Sequence, residues 1–242
     1  MQVVWGSSVP LDAPPHCGGP QRWIFKESAE RFHLPLQANY NTGVEFTHES
    51  RNIWPLMLDR LRAMPRDEVA LTTDTWDVFF CAGPEEIEAK FRAFGKGVLF
   101  CMETNPFPPE NARWGEYPPG PTRWRYINGG QIMGYAGALL DLFEHPDFWD
   151  WNVIKYNQEA YNRWWMLHPD CPDFALDFYC QVFCCIYDSG LKPSIAETLE
   201  VRLDPAAKYR RIYNRETGSY PATIHGNGQF SVQAARMWEQ LR

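Results

Sequence analysis

The chain has 242 residues, 45% of them hydrophobic and 22% charged, which fits one large globular domain and excludes a disordered or fibrous protein. Its formal net charge of −7 argues against a protein that holds a nucleic-acid backbone by bulk charge. No run of about 18 apolar residues is present, so the sequence predicts no membrane span and no membrane partner.

Strand and helix signals alternate through the first hundred residues. Strands are predicted at 1–6, 34–40, 69–71 and 96–103. Helices are predicted at 22–32, 50–65 and 84–94, the last of which opens with proline and two acids. Such alternation predicts an α/β fold with a mostly parallel central sheet flanked by helices.

The second half begins with a long loop at 104–125 that is rich in proline and polar residues, and loops of this length are often functional. Residues 126–145 predict a strand, a glycine-bearing turn and a helix, and a helical stretch continues to about Trp165. An apolar block follows at 174–188. The tail at 220–242 predicts a strand, a glycine turn and a terminal helix, and neither repeats nor a linker interrupt a single domain over 1–242.

Four of the seven cysteines are close in sequence, namely Cys171, Cys180, Cys184 and Cys185. The N-terminus has no secretory signal, so we expect these thiols to be reduced and mostly buried. A zinc site is the alternative. It is disfavoured because the spacing contains no CxxC pair and adjacent cysteines chelate poorly.

The run RRIYNR at 210–215 is a candidate local basic groove. The alternative interpretation, which charge runs favour more often, is a solvated helix face.

Two acids, Asp74 and Asp77, directly follow the predicted strand at 69–71 and precede a second apolar run. Ligands of open α/β sheets bind beyond the carboxyl ends of the strands. Two unpaired carboxylates are costly to bury, whereas a hard divalent cation such as Mg²⁺ or Mn²⁺ would neutralise them and could polarise a diphosphate. The alternative is a pair of capping acids in a turn.

Two further segments carry candidate ligand groups. In IHGNG at 224–228, His225 could supply an imidazole to a metal and the glycines allow close backbone approach. In NGG, Asn128 with Gly129 and Gly130 can present an amide and backbone groups to a polar ligand. The alternatives are a hydrogen-bonded histidine near a turn and a tight turn between strand and helix.

In this order, the motifs resemble the glycosyltransferase domain of procollagen lysyl hydroxylases and their viral and bacterial relatives. The family's DxYDV stands at 74–78 with Trp76 in place of Tyr, and its FxAE stands at 100–103 and ends in Glu103. Its YLNSG stands at 126–130, its LD…F includes Asp177, and its closing HGN begins at His225. The resemblance runs from about Trp23 to Phe230.

The resemblance implies a GT-A, Rossmann-like single domain, with a nucleotide-sugar half at about 1–130 and an acceptor half at about 131–242. It implies Mn²⁺ or Mg²⁺ as the metal and a UDP-sugar as the donor substrate. The implied metal ligands are Asp74, Asp77 and His225. The implied donor-binding residues are Ser7, Ser8, Asp74, Trp76, Gly129, Gly130, Gly226, Asn227 and Gly228. The implied catalytic residues are Asp177, Glu103 and Asn128.

One departure from the family concerns the acceptor. The family carries acidic residues before a Gln, and the matching stretch here is Tyr156-Asn157-Gln158 without them, while Phe107 replaces a Trp in the same neighbourhood. Both changes, and the missing secretory signal, argue against a collagen acceptor. The missing signal also predicts a cytoplasmic location, which is the host cytoplasm if the protein is viral.

The open acceptors are a protein hydroxyl, a glycan, or a 5-hydroxymethylated pyrimidine in DNA. For DNA, the aromatic loop at 107–124 would stack a base and the run at 210–215 would meet phosphates. A non-catalytic module that binds a nucleotide-sugar or a glycan is the other class of function.

Overall fold

The computed structural model describes residues 1–7, 22–40, 54–107, 115, 117–148, 156–188, 190 and 193–242. The strands are β1 (Gln2–Ser7), β2 (Leu36–Tyr40), β3 (Val69–Thr73), β4 (Val78–Phe80), β5 (Val98–Glu103), β6 (Tyr126–Tyr135), β7 (Phe174–Leu176), β8 (Phe183–Cys185), β9 (Leu199–Leu203), β10 (Arg210–Asn214) and β11 (Thr223–His225). The helices are α1 (Arg22–Arg31), α2 (Trp54–Ala63), α3 (Pro84–Ala93), α4 (Ala136–Phe143), α5 (Asn157–Leu167), α6 (Ile195–Thr198) and α7 (Ser231–Glu239). A 3-10 turn spans Gly228–Phe230.

The central sheet has the strand order β2-β1-β3-β6-β5-β7. Strand β6 runs antiparallel to both of its neighbours, and the other strand pairs are parallel. The prediction of an α/β fold with a mostly parallel sheet is therefore confirmed. Because β6 runs in the opposite direction, its first residues lie at the same sheet edge as the carboxyl ends of β3 and β5.

A second sheet has the order β4-β11-β8. In its register His225 lies opposite Val78 of β4 and Cys185 of β8. Both β3 and β4 are fully buried, so the chain leaves one buried sheet and enters another within the four residues 74–77. This crossing explains why two acids stand between two apolar runs.

The central sheet buries both of its faces, as expected where helices cover a sheet on two sides. In β3, Val69 and Leu71 pack into one hydrophobic cluster, and Ala70 between them packs into the other. Among the described residues, no helix is both long and apolar enough to cross a membrane. The assignment of 1–242 to one domain with two functional halves stays a prediction.

Two local predictions were wrong. Residues 128–130 do not form a turn, because β6 continues without a break from Tyr126 to Tyr135. The basic run at 210–215 is not a helix face, because it forms β10, which pairs with β9 in a two-stranded antiparallel sheet. At 210–215, pairing with β9 overrides the charge pattern that suggested a helix face. At 128–130, the glycines lie inside β6 although glycine pairs favour turns.

The Arg211 side chain is only 2% exposed and fixes β10 to α3. Its Nη1 lies 2.8 Å from Glu86 Oε1 and 2.8 Å from Asp204 Oδ2. Its Nη2 donates to the Pro221 carbonyl at 3.3 Å. The guanidinium is therefore committed to an internal ion-pair cluster, so Arg211 is not available to a DNA phosphate, and contact between phosphates and the rest of the run at 210–215 stays a prediction.

Replacing Arg211 by Ala should destabilise the fold strongly, because it leaves the buried Asp204 carboxylate without its arginine partner. We expect a loss of about 3–5 kcal/mol in the free energy of unfolding, measured by denaturant titration. The neighbouring Arg210 is exposed, and Arg210→Ala should change that free energy by no more than about 0.5 kcal/mol. Equal effects of the two substitutions would contradict the role given to the cluster.

Candidate active site

Asp74, Asp77 and His225 come together where β3 ends and β11 ends. One ligand atom from each residue lies within 4.8 Å of the others, and no other group of this kind occurs among the described residues. His225 Nε2 lies 3.3 Å from Asp77 Oδ1 and 3.8 Å from Asp74 Oδ2. The Asp74 side chain is 55% exposed while His225 is 2% exposed, so the group opens to solvent on the Asp74 side.

These residues fit a divalent cation. His225 Nε2 is buried and makes no hydrogen bond within the described part of the chain, and an unpaired buried polar atom costs about 1–3 kcal/mol. Two carboxylates and one imidazole form a donor set suited to Mn²⁺ and related ions. The predicted zinc alternative at the cysteines has no such geometry among the described residues: Cys180, Cys184 and Cys185 are free and buried.

The other imidazole nitrogen of His225 faces protein groups. Nδ1 lies 3.1 Å from Asn128 Oδ1 and 3.5 Å from Cys185 Sγ. Burial lowers the pKa of His225, but the nearby Asp77 carboxylate and Cys185 oppose this, and the net pKa lies well above the usual value. The imidazole is thus held in an environment that favours a positive charge at Nε2, whether from a proton or from a cation.

Glu103, at the end of β5, is 3% exposed and accepts hydrogen bonds from three side-chain amides. Asn128 Nδ2 and Gln158 Nε2 donate to Oε1, the former at 3.2 Å, and Asn227 Nδ2 donates to Oε2 at 3.0 Å. Burial raises the pKa of Glu103 to about 7, against the lowering effect of these donors. The carboxylate therefore connects β5, β6, α5 and the segment after β11.

Gly129 and Gly130 are required by close packing rather than by a turn. A Cβ at position 130 would lie 2.2 Å from His225 Cε1 and 2.7 Å from Asp74 Oδ2. A Cβ at position 129 would lie 2.7 Å from Gln158 Cβ. The Gly130 carbonyl also accepts a hydrogen bond from the Asp74 N–H at 2.7 Å. Gly130 thus lets β6 approach Asp74 and His225, and Gly129 lets it approach the start of α5.

Asp177 is fully buried, and its two oxygens accept three backbone N–H bonds, each at 2.8 Å. The donors are residues 181, 182 and 183. Burial raises the pKa of Asp177 to about 6, and the N–H donors oppose that shift. This geometry gives Asp177 a role in shaping the loop between β7 and β8, and its direct part in catalysis stays a prediction.

The remaining predicted residues surround the metal ligands in different ways. Ser7 ends β1 at the carboxyl edge of the sheet, and Ser8 lies outside the described residues. Trp76 is half-buried in the bend between the two acids. In the segment after β11, the Gly226 N–H donates to the Asp77 carbonyl at 2.8 Å, and Gly228 has a φ of +63°.

Asn227 presents an acceptor atom that has no partner in the part of the chain that the structure describes. Its Nδ2 is engaged by Glu103, whereas its Oδ1 is buried and makes no hydrogen bond with the described residues. A hydroxyl or N–H of a bound ligand would satisfy this oxygen.

Gln158 contacts the candidate site but was not among the predicted site residues. In the sequence it stands only in the segment that departs from the family. Its Nε2 donates to Glu103, and its Oε1 accepts from the Gly129 N–H at 3.0 Å. The neighbouring Asn157 Nδ2 donates to the Gly129 carbonyl at 2.7 Å. The Gln that the family motif retains was the signal that could have identified this contact.

The aromatic loop at 107–124 is less available than predicted. Tyr117 and Trp124 are buried, and Trp124 Nε1 donates to the Cys185 carbonyl at 3.0 Å. They are therefore not free to stack a base. Phe107 is 39% exposed and packs edge-on against Tyr156, with 5.1 Å between ring centroids. Tyr156, the partner of Phe107, directly precedes Asn157 and Gln158 in the sequence. Residues 108–114 and 116 lie outside the described part of the chain.

Comparisons with known proteins give the family and the fold of the chain. The family model of the PLOD GT domain matches residues 54–238. The chain belongs to this family. It is 30% identical over 220 residues to procollagen-lysine,2-oxoglutarate 5-dioxygenase 1 of Pongo abelii. The aligned region covers 86% of this chain and 28% of that protein. It is 25% identical over 174 residues to an uncharacterized protein of Acanthamoeba polyphaga mimivirus, which covers 71% of this chain and 34% of that protein.

The chain thus spans about a third or less of the length of these relatives. Among solved structures, the galactosyltransferase LgtC in complex with donor and acceptor sugar analogs has a TM-score of 0.52 and 12% identity, covering 100% of this chain and 96% of that one. At this identity the likeness concerns the fold alone. The PLOD GT domain of this chain has the GT-A glycosyltransferase fold that the sequence predicted.

Gly130→Ala should disrupt the metal ligands directly, because the added methyl group overlaps His225 and Asp74. We expect Mn²⁺ affinity, measured by calorimetric titration, to fall about tenfold or more. At Gly83 an added Cβ would meet its nearest atoms at 3.5 Å, an ordinary contact, so Gly83→Ala serves as the matched control. Unchanged affinity in Gly130→Ala would show that these three residues do not hold the ion.

Glu103→Gln should change how stability depends on pH. The folded-state pKa of about 7 exceeds the ordinary value of 4.5, so the folded protein binds this proton more tightly than the unfolded chain. Ionisation therefore costs the folded state free energy as the pH rises from about 4.5 through about 7.

The wild type should lose about 3 kcal/mol relative to Glu103→Gln across that pH window, measured by denaturant unfolding of the metal-free protein. Asn162→Ala removes a buried amide without removing an ionisable group. The difference in free energy of unfolding between this variant and the wild type should therefore not change with pH. A constant difference for Glu103→Gln as well would refute the raised pKa.

Proposed function

We propose that the protein is a metal-dependent glycosyltransferase that moves a sugar from a UDP-sugar to a hydroxyl acceptor. The observation that carries this proposal is the group formed by Asp74, Asp77 and the unpaired Nε2 of His225, at the carboxyl edge of the sheet in a GT-A fold. Ligands of open α/β sheets bind at this edge. Membership of the PLOD GT domain family supports the same chemistry.

Asp74, Asp77 and His225 would hold Mn²⁺ or Mg²⁺. When bound, the cation supplies Lewis-acid stabilisation of the negative charge on a departing diphosphate. The exposed side of Asp74 leaves this position open to a ligand. Ser7, Ser8 and Trp76 are proposed to contact the nucleotide. Gly129 and Gly130 let the backbone of β6 come close.

Glu103 and Asn227 are proposed to orient the donor sugar rather than to move a proton. Glu103 is 3% exposed and its two oxygens already accept three amide hydrogens, so it is enclosed by protein groups rather than open to an acceptor hydroxyl. The free acceptor is Asn227 Oδ1, which would receive a hydrogen bond from a sugar hydroxyl.

We propose a protein or glycan hydroxyl as the acceptor. The exposed Phe107 beside Tyr156 supplies an apolar ring surface of the kind on which a sugar can stack. A 5-hydroxymethylated pyrimidine in DNA remains the alternative, but the internal ion pairs of Arg211 and the net charge of −7 weaken it. The assay described below includes both kinds of acceptor.

Asp77→Ala should abolish Mn²⁺-dependent hydrolysis of UDP-sugars, because it removes one of three protein ligands. We expect a loss greater than about 100-fold, which exceeds the effect of an outer-sphere partner. Asp141→Ala is the control, since Asp141 is exposed and pairs only with Arg66 in this region. Products are identified by mass spectrometry over a matrix of UDP-sugars and acceptors, including hydroxylysine peptide and hydroxymethylcytosine DNA.

Turnover that survives both Asp77→Ala and chelation of the metal would refute the metal-dependent mechanism. Calorimetric binding of UDP without transfer to any acceptor would instead favour a non-catalytic nucleotide-sugar or glycan-binding module.

A further inference from the structure

The Asn128 side chain is 2% exposed, and both ends of its amide are engaged inside the protein. Its Oδ1 accepts the Gly130 N–H at 2.8 Å and lies 3.1 Å from His225 Nδ1. Its Nδ2 donates to Glu103 Oε1 at 3.2 Å. The amide is thus held inside the protein at both of its ends, whereas the sequence predicted Asn128 as a catalytic residue.

The orientation of this amide follows from its partners. An asparagine can exchange the positions of its oxygen and nitrogen by rotation, and the hydrogen-bond network decides between the two. The Gly130 N–H can only donate, so the atom that faces it must be the oxygen. The Glu103 carboxylate accepts, so the atom that faces it must be the nitrogen. Both constraints select the same orientation.

This orientation acts on His225. Because Asn128 Oδ1 can only accept, the imidazole nitrogen beside it must carry a hydrogen. A neutral imidazole has one N–H and one lone pair, so the lone pair is then on Nε2. That is the buried nitrogen which has no hydrogen bond among the described residues and faces Asp74 and Asp77.

Cys185 is the second group near His225 Nδ1, and it does not oppose the placement of a hydrogen on that nitrogen. Cys185 Sγ lies 3.5 Å away, and a thiol is a weak acceptor that can also donate. It therefore has no fixed preference for either tautomer. Cys185 Sγ also lies 3.4 Å from Cys101 Sγ, to which it can turn its hydrogen.

We infer that Asn128 is a positioning residue that selects the metal-binding tautomer of His225, with the Gly130 N–H and the Glu103 carboxylate holding its amide in place. The inference rests on the proposed cation site. It separates the residues of β6 by role: Gly130 makes room for the ligands, and Asn128 sets which imidazole nitrogen can bind the ion.

Two substitutions at position 128 distinguish this role from a merely structural one. Asn128→Ala removes the acceptor for His225 Nδ1. Asn128→Asp keeps an oxygen toward both Gly130 and His225 and loses only the donor to Glu103. The matched control is Asn162→Ala: this buried amide also bonds β6, through the Ile127 backbone, but does not contact His225.

The measurement is Mn²⁺ affinity of the purified protein, followed by the electron paramagnetic resonance signal of the free ion. We expect Asn128→Ala to weaken binding about 10- to 100-fold, as other partners of a metal-bound histidine do. Asn128→Asp should recover most of that loss, and Asn162→Ala should bind like the wild type. In Asn128→Asp the new carboxylate faces that of Glu103. If their repulsion destabilises the protein, the double variant Asn128→Asp, Glu103→Gln removes it, because Gln replaces the Glu103 carboxylate by a neutral amide.

A second readout is the Nδ1–H resonance of His225 in the Mg²⁺-loaded, ¹⁵N-labelled protein. It should be slow to exchange in the wild type and fast in Asn128→Ala.

The inference is overturned if Asn128→Ala binds Mn²⁺ like the wild type, if Asn128→Asp is as weak as Asn128→Ala, or if Asn162→Ala loses as much affinity. Failure of the wild type to bind Mn²⁺ would overturn the proposed function as well, whereas normal wild-type binding with these outcomes overturns only the role of Asn128.

Discussion

The candidate site depends on one buried carboxylate, Glu103. Three amides from β6, α5 and the segment after β11 donate to it, so elements far apart in sequence are held at one point. A buried ionised carboxylate is costly unless hydrogen bonds compensate for the lost water. Here the three donors supply that compensation, and the raised pKa shows that it is incomplete. The cost is localised where a ligand binds, as is common at functional sites.

The second constraint is the short crossing between two sheets at 74–77. Strands β3 and β4 are both buried in different sheets, so the two acids between them cannot move away from the sheet edge. The Gly226 N–H bonds the Asp77 carbonyl, and the Asp74 N–H bonds the Gly130 carbonyl. Asp74 and Asp77 are thus held by backbone bonds to β6 and to the segment after β11, which is the kind of rigid support a binding site requires.

Much of the fold and of the ligand set could be predicted from local signals. Alternating apolar runs and helix signatures predicted the α/β class, and the acids after β3 and the HGN segment pointed to the three residues that meet in the candidate cation site. Errors arose where a distant strand or side chain decides the outcome. The glycines at 129 and 130 suggested a turn, but β6 continues through them at the place where its register with β5 shifts. Arg211 suggested a surface charge, but Glu86 and Asp204 bury it.

The sequence by itself determined which chemical groups are present and which strands carry them, because periodicity and spacing are local properties. Only the tertiary structure decided what each group contacts. It turned Asn128 from a candidate ligand contact into a partner of His225, gave Asp177 three backbone donors, and brought Gln158 to Glu103. The contacts of Asn128 and Gln158 join residues 25 to 97 positions apart, and such distances are determined by how sheets and helices pack rather than by any local pattern.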